Sequence, residues 1–160
     1  MSIEIETFRS EHARRFGELN REWLERHSLM EPADEEQLAN PQKYFLDCGG
    51  RIFVALRDGK VIGTCAVLPH GTEDVELAKL TVAAEFRGQG IARRLVERCI
   101  AYAREQKARR VMLVSNSRLQ AALRLYESLG FRYCPVPESS KYAVADTCMV
   151  LDLSPTSSAA

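Results

Sequence analysis

The stretch Lys79–Ala92, with the sequence KLTVAAEFRGQGIA, contains the residue types best suited to binding an anionic ligand. Its pattern is that of a strand end, a loop and the start of an amphipathic helix. Gly88 and Gly90 have no Cβ atom, so backbone amides there can approach a ligand closely. Exposed N–H groups in a first helical turn, together with the helix dipole, attract phosphates, and Arg87 adds positive potential. These residues therefore predict a phosphate or pyrophosphate site.

Two common phosphate-binding motifs do not fit this stretch. A P-loop requires Gly-Lys-Ser/Thr, which does not occur in the sequence. A dinucleotide-binding fingerprint requires a third glycine, and Ala92 and Arg93 follow instead. The pattern that remains is Arg-x-x-Gly-x-Ala, formed by Arg87, Gly90 and Ala92. Alone it is too loose to identify a ligand.

A second motif, Leu-Tyr-x-x-x-Gly-Phe, occupies Leu125–Phe131 and follows the first by one strand and one helix. With both motifs in this order, the chain resembles the GNAT superfamily of acetyl-CoA-dependent N-acetyltransferases over essentially its whole length. The resemblance implies an enzyme that uses acetyl-CoA as co-substrate, needs no metal and acetylates an amine.

The resemblance also implies where coenzyme A binds. The amides of Arg87–Ala92 would hold its pyrophosphate, and the pantetheine arm would enter between strands Val75–Val82 and Val111–Val114, which separate beside a bulge. Many members carry an asparagine where this chain has Leu119, so Asn116 either replaces that contact or caps the helix. The implied coenzyme-binding residues are Leu80, Thr81, Val82, Arg87, Gly88, Gln89, Gly90, Ile91, Ala92 and Asn116.

Two residues are candidates for proton transfer. By resemblance, Tyr126 is the general acid that protonates the leaving thiolate; alternatively it is a packed tyrosine with its hydroxyl on backbone. An amine with a pKa of about 8–10 must lose a proton before it attacks, and Glu76 is the candidate base, acting through water. Alternatively Glu76 faces solvent and pairs with Lys79 or an arginine, because strand alternation alone does not decide its face.

The acceptor site would be lined, by resemblance, by the first two helices and the loop before the last strand. The candidates are Asn20, Trp23, His27 and Tyr142. Trp23 could equally be a core anchor at helical spacing. The acceptor is expected to be a primary amine of a small metabolite, such as an amino acid or polyamine, attacking directly in a ternary complex. The alternatives are a protein N-terminus or lysine as acceptor, or a non-catalytic acyl-CoA sensor.

The elements that must position these residues form a predicted α+β fold, a mixed and mainly antiparallel sheet flanked by helices in the order β-α-α-β-β-β-α-β-α-β-β. Asp58-Gly59 between two apolar runs predicts a hairpin. Ser10 is predicted to cap the first helix, and Gly130 to end the last. The predicted strands are 3–8, 51–56, 61–68, 75–82, 111–114, 131–134 and 145–153, and the predicted helices are 11–27, 32–40, 90–107 and 119–129.

Composition narrows the class of protein further. The 160 residues are 46% hydrophobic with a formal net charge of zero, which is typical of one globular domain, expected over residues 1–154 with a frayed tail at 155–160. Residues 81–132 carry 11 basic and 4 acidic side chains, either a positive patch for a small polyanion or simply two helices with arginine-rich outer faces. Nucleic-acid and membrane binding are not expected. Five scattered cysteines indicate free thiols and a cytoplasmic protein, and a homodimer through the C-terminal strands is compatible with the resemblance.

Overall fold

The computed structural model describes residues 2–137 and 144–153. Seven strands form one sheet in the order β1-β2-β3-β4-β5-β7-β6, in which only β4 and β5 are parallel neighbours. The strands are β1 (Glu4–Thr7), β2 (Arg51–Arg57), β3 (Lys60–His70), β4 (Asp74–Val82), β5 (Arg110–Ser115), β6 (Arg132–Cys134) and β7 (Thr147–Asp152). The helices are α1 (Ala13–Arg26), α2 (Pro32–Ala39), α3 (Ile91–Glu105) and α4 (Gln120–Ser128). The predicted α+β class and element order are confirmed.

The first four strands are antiparallel neighbours in the sheet. The tight turn between β2 and β3 was predictable from its residue types. Asp58 and Gly59 connect β2 to β3, with φ values of 52° and 78°. Two consecutive positive φ values are typical of the two-residue turn that matches the twist of a hairpin, and Asp-Gly tolerates them well. The predicted hairpin is therefore confirmed.

Helices cover both faces of these four strands. An ideal Cβ on Gly63 of β3 would lie 3.1 Å from Leu95 Cδ1 of α3. On the next residue, Thr64, the side chain meets Asn20 of α1. Because successive residues of a strand point to opposite faces, α3 and α1 lie on opposite sides of the sheet. Within the described part of the chain, no helix is both long and apolar enough to span a bilayer.

The first helix begins differently from the prediction. Ser10 opens a single 3-10 turn, Ser10–His12, and α1 itself starts at Ala13. The backbone N–H of Arg9 donates to Nδ1 of His12 over 2.9 Å. The predicted cap at Ser10 is therefore wrong, because Ser10 lies within the 3-10 turn and the N-cap positions of that turn and of α1 are Arg9 and His12. By contrast, Gly130 follows α4 with a φ of +100°, as expected for a residue that ends a helix.

The buried imidazole of His12 should make the folding free energy depend on pH. Burial, and then the charge of Arg9, lower the pKa of His12 from the ordinary value of 6.5. The unfolded chain therefore binds a proton near pH 6.5 that the native chain resists. Stability is full above that pH and falls as the pH drops from 6.5 toward the lower native pKa.

We expect urea unfolding at pH 7.5 and 5.5 to show a smaller loss of stability for His12→Asn than for the wild type, because asparagine keeps an acceptor but does not titrate. His70→Asn, at an exposed position on β3, is the control and should retain the wild-type loss. Equal losses in His12→Asn and wild type would contradict this account of His12.

Candidate active site

The parallel strands β4 and β5 pair only at their beginnings. The pairs are Asp74 with Arg110, Val75 with Val111 and Glu76 with Met112. Beyond them β4 stays paired with β3 as far as Val82, and β5 stays paired with β7 as far as Ser115. The two strands therefore separate in mid-sheet and leave one backbone edge of β4 without a strand partner. The predicted separation of these strands is confirmed.

The edge of β4 that faces the gap carries backbone donors. Ala83 donates its N–H to the carbonyl of Ile62, on the β3 side, over 2.8 Å. Because backbone groups alternate between the two edges of a strand, the N–H of Val82 points toward the gap. The Val82 carbonyl accepts a hydrogen bond from Arg87 Nε at 3.1 Å. This N–H is thus placed for an extended ligand, while the carbonyl is already used within the protein.

A β-bulge marks the point where β4 turns away. Thr64 of β3 pairs with Thr81, whereas Ala66 pairs with Ala78, so β4 has one extra residue. Lys79 lies within the bulge at a φ of +55°. Thr64 Oγ1 donates to the Lys79 carbonyl over 2.8 Å and accepts from Asn20 Nδ2 over 3.1 Å. The expected bulge is present, and two successive hydrogen bonds, from Asn20 on α1 to Thr64 and from Thr64 to the Lys79 carbonyl, stabilise it.

The glycine loop follows β4 after one 3-10 turn and opens α3. Gly88 and Gly90 have φ values of 78° and 80°, which side chains with a Cβ rarely adopt. Within residues 2–137 and 144–153, the N–H groups of Gly88, Gln89 and Gly90 have no hydrogen-bond acceptor. The loop is exposed, and a helix leaves its first N–H groups without intrahelical partners. These groups are arranged at the end of a strand and the start of a helix as the sequence predicts, and their binding of an anion stays a prediction.

A cleft with a volume of about 160 Å³ lies at the gap between β4 and β5. It brings together six of the predicted site residues and leaves the glycine loop outside its walls. The charged residues among its lining are Glu76, Asp34 and Lys79. The lining is formed by Asn20, Trp23, Leu24, Leu29, Asp34, Glu76, Leu77, Ala78, Lys79, Leu80, Leu113, Val114, Ser115, Asn116, Leu119, Ala122, Tyr126, Val144 and Ala145.

Tyr126 lies on α4 and lines the cleft. Its ring is buried and packs 5.7 Å from that of Phe131. No partner for the hydroxyl exists among the described residues. Within that part of the chain every buried side-chain N or O atom has a hydrogen-bond partner, so the hydroxyl oxygen keeps accessible surface, and the residue lines the cleft. Burial, with smaller effects of Cys65 and Cys99, raises the pKa of Tyr126 well above its ordinary value. The alternative, a hydroxyl bonded to backbone, does not occur in the described part.

Glu76 lies on the cleft side of β4 and is half-buried. Its carboxylate makes no ion pair or hydrogen bond with any described residue. The alternative pairing with Lys79 is not seen, because Lys79 pairs with Asp34. Glu76 therefore offers an unengaged carboxylate within the same cleft as the Tyr126 hydroxyl.

The acceptor-site candidates divide into three groups. Asn20 and Trp23 line the cleft, and Trp23 is half-buried and does not belong to the buried core of the described residues. His27 lies outside the lining, with its ring 4.6 Å from that of Trp23. Burial, and then nearby arginines including Arg87, lower the pKa of His27. Tyr142 lies outside the described residues.

Asn116 lines the cleft but uses both ends of its amide within the protein. Nδ2 donates to the Val144 carbonyl at 2.7 Å, and Oδ1 accepts from the Arg118 N–H at 2.9 Å. The N-cap of α4 is Leu119, which supplies no side-chain bond. Asn116 thus joins the β5–α4 loop to the segment before β7 and does not cap α4, while its predicted contact with coenzyme A stays a prediction.

Asp34 and Lys79 were missed as cleft residues. They lie 45 positions apart and each is typical of a surface charge in its element. One signal was available: the apolar alternation of β4 runs through Val75 and Leu77 but resumes at Leu80, which indicates the bulge. No local sequence pattern predicts the contact between the Asp34 and Lys79 side chains.

Comparisons with known proteins agree with this geometry. Residues 9–131 match the family model described as Acetyltransferase (GNAT) family. N-acetyltransferase family 8 member 2 of Rattus norvegicus is 32% identical over 115 residues, 69% of this chain and 51% of that protein. N-acetylaspartate synthetase of Rattus norvegicus is 37% identical over 108 residues, 66% of this chain and 36% of that protein. The chain thus spans about half, or less, of the length of these relatives.

A solved structure shows the same fold. The PaiA N-acetyltransferase of Thermoplasma acidophilum, in complex with coenzyme A, superposes with a TM-score of 0.74 at 17% identity, covering 96% of this chain and 100% of that one. At this identity the likeness concerns the fold alone. The match of the family model, which covers more than half of the sequence, decides the assignment: the chain belongs to the GNAT family of acetyltransferases.

Proposed function

We propose that this protein is an N-acetyltransferase that transfers the acetyl group of acetyl-CoA to the primary amine of a small metabolite. The observation that carries the proposal is the unpaired edge of β4, which has an anion-binding loop at one end and a cleft with Glu76 and Tyr126 beside it. Residues 1–154 would form the single domain that performs this reaction.

Coenzyme A fits the gap by its chemistry. Its pyrophosphate needs several convergent donors, which the amides of Gly88–Ala92 offer together with the positive end of α3. Its pantetheine arm carries amides, for which the Val82 N–H is placed at the gap. The complex of the PaiA neighbour with coenzyme A supports this assignment. Leu80 lines the cleft and would lie next to the arm.

The reaction needs one acyl transfer, the loss of two protons from the acceptor nitrogen and the gain of one proton by the sulfur. Glu76 would remove a proton from the acceptor ammonium, directly or through water, so that the nitrogen lone pair becomes available. The nitrogen then forms a bond to the acetyl carbon while the carbon–sulfur bond breaks. Tyr126, which is protonated at neutral pH, would deliver its proton to the departing sulfur. The acetylated nitrogen then loses its second proton, which returns through water to the Tyr126 oxygen, and Glu76 gives its proton to solvent. The products are the amide, coenzyme A and one proton.

The size of the cleft supports a small acceptor. A volume of about 160 Å³ holds a metabolite of a few heavy atoms. The name of one relative, N-acetylaspartate synthetase, describes a small-metabolite product. Asn20 contributes an amide whose Nδ2 is occupied by Thr64 and the Phe16 carbonyl, so that its oxygen is the group left for an acceptor N–H.

The glycine loop can be tested by adding one methyl group. We expect Gly90→Ala to weaken coenzyme A binding about tenfold or more in calorimetry, because a Cβ at a φ of +80° displaces the amides of the anion site. Gly59→Ala is the matched control: its φ is +78° and open space surrounds it, but it lies in the β2–β3 turn. If both variants bind coenzyme A like the wild type, the loop is not the pyrophosphate site.

The general acid can be tested by removing one oxygen. With acetyl-CoA and a panel of amines, we expect Tyr126→Phe to lower kcat for thiol release about 100-fold. The wild type should show no alkaline loss of kcat from tyrosine ionisation up to about pH 10, because burial raises the pKa of Tyr126. Tyr102→Phe, equally buried on α3 but outside the cleft lining, should match the wild type. Unchanged turnover in Tyr126→Phe on every accepted amine would show that this hydroxyl is not the acid, and a wild type that acetylates no amine would refute the proposed activity.

If Glu76 is the base, the effect of replacing it on kcat/KM should depend on pH. Glu76→Gln should lower kcat/KM about 100-fold at pH 7, and the deficit should shrink as the pH approaches the pKa of the acceptor amine, since solvent then supplies the neutral amine. Glu73→Gln, on the exposed turn before β4, serves as control. A deficit that stays constant from pH 7 to pH 10 would rule out a role for Glu76 in deprotonation.

A further inference from the structure

Two cysteines that the proposed chemistry does not use lie side by side at the edge of the sheet. Cys134 on β6 and Cys148 on β7 are register partners, and their Sγ atoms are 2.7 Å apart. Carbon atoms that pack against each other stay about 3.5–4.0 Å apart, and sulfur is larger than carbon. Both cysteines are free thiols. The fold therefore holds two thiols in direct contact, although 14 positions separate them in the sequence.

The backbones of β6 and β7 already have the spacing that a disulfide needs. The N–H of Leu153 donates to the carbonyl of Arg109, on the β5 side, over 2.7 Å. Because backbone groups alternate between the two edges of a strand, the N–H of Cys148, an odd number of residues earlier, points toward β6. Cys134 and Cys148 therefore form a hydrogen-bonded pair of the antiparallel ladder, with Cα atoms about 5.5 Å apart. Disulfides span about 4.4–6.8 Å between Cα atoms, so the two strands need not slide or separate.

The surroundings of the pair favour reaction at Cys134 first. Cys134 is half-buried, whereas Cys148 is buried beside Met112 and Val150. Burial, and then the contact with Cys134, raises the pKa of Cys148 to about 12, so that this thiol stays protonated at neutral pH. An oxidant in solution therefore reaches Cys134, and Cys148 is in contact with it to react second.

The other three cysteines, all within the described residues, lack this combination. Cys65 and Cys99 are neighbours but are both 0% exposed, so that a dissolved oxidant does not reach them. Cys48 is exposed, and its Sγ contacts the backbone carbonyls of Tyr44 and Phe45 rather than a second sulfur. Contact between two sulfurs and access from solvent occur together at Cys134 and Cys148.

We propose that Cys134 and Cys148 are a redox site, at which a hydroperoxide such as hydrogen peroxide converts the two thiols into a disulfide that stabilises this edge of the sheet. The Cys134 thiolate attacks one peroxide oxygen and the O–O bond breaks, which leaves a sulfenic acid and hydroxide; the hydroxide takes up the proton that Cys134 released. The Cys148 sulfur then bonds to the Cys134 sulfur, the S–O bond breaks, and the oxygen leaves as water with the Cys148 proton. The two thiols lose two electrons, and the peroxide gains them. A dithiol reductant reverses the reaction by exchange.

The disulfide would connect the sheet edge to the cleft. It would close a covalent ring that contains Val144 and Ala145, two residues of the cleft lining. The Val144 carbonyl also accepts a hydrogen bond from Asn116 in the β5–α4 loop. Ring closure restricts the unfolded chain, so oxidation is expected to stabilise the folded protein. This inference goes beyond the proposed acetyl transfer and does not depend on it.

The experiment treats the folded, reduced wild type with a small molar excess of hydrogen peroxide, followed by thiol titration, non-reducing peptide mapping and thermal unfolding. Free thiols are expected to fall from five to three, with one disulfide between Cys134 and Cys148. Closing a ring of about 15 residues should raise Tm by about 5 °C or more. Dithiothreitol should restore all the thiols and the original Tm.

Three variants distinguish the pair from the other thiols. Cys48→Ser keeps the pair and should show the same disulfide and the same rise in Tm. In Cys148→Ala, Cys134 should stay a sulfenic acid that dimedone labels, because the second thiol is missing. Cys134→Ser should show neither a label at Cys148 nor a rise in Tm.

The inference is overturned if the wild type keeps both thiols, if either sulfur links to Cys48 or to a second chain instead, or if the linked pair leaves Tm unchanged. A rise in Tm that persists in Cys134→Ser would also overturn it. None of these readouts requires acetyl transfer, so each of these results leaves the proposed function intact, and a protein that acetylates no amine leaves this inference intact.

Discussion

The candidate site depends on one constraint: a backbone donor at a strand edge must find an acceptor. β4 and β5 share only three residue pairs and then separate, so that the edge of β4 up to Val82 faces a gap instead of a strand. A sheet tolerates such an edge only where water or a ligand can satisfy it. In the proposed function, an extended ligand with its own amides supplies the missing partners, and a glycine loop at the end of the same strand supplies donors for that ligand's phosphates.

Residues outside the gap keep it open. The bulge at Lys79 adds one residue to β4, and its carbonyl is held by Thr64, which Asn20 in turn holds from α1. On the same side, α2 is joined to the bulge through the contact of Asp34 with Lys79. Such bulges commonly occur beside active sites, where they redirect a side chain. Here the residue in the bulge is Lys79, and the cleft beside it is also lined by Glu76 and Tyr126. Fold, bulge and cleft are therefore parts of one arrangement.

Structural features that depend on a short stretch of sequence were predicted well. Asp58-Gly59 identified the hairpin because few dipeptides adopt two positive φ values, and Gly90 identified the start of α3 because a loop must turn there before the apolar period begins. The resemblance supplied the bulge and the separated strands. Long-range packing was not predictable: the face of Glu76 depends on sheet register, and the contact of Asp34 with Lys79 joins residues 45 positions apart. Ser10 failed as a cap because the chain forms a 3-10 turn over Ser10–His12 before α1 begins, and buried His12 accepts the N–H of Arg9 there. This start depends on the core and not on local propensity.

The central claim, that the gap between β4 and β5 together with the loop at 88–92 binds coenzyme A through backbone amides, is tested most directly by hydrogen–deuterium exchange of the wild type with and without coenzyme A. The account predicts slower exchange at Val82 and at Gly88–Ala92, while the β2–β3 turn at Asp58-Gly59 stays unchanged. Saturating coenzyme A that leaves exchange at Val82 and Gly88–Ala92 unaltered would contradict it.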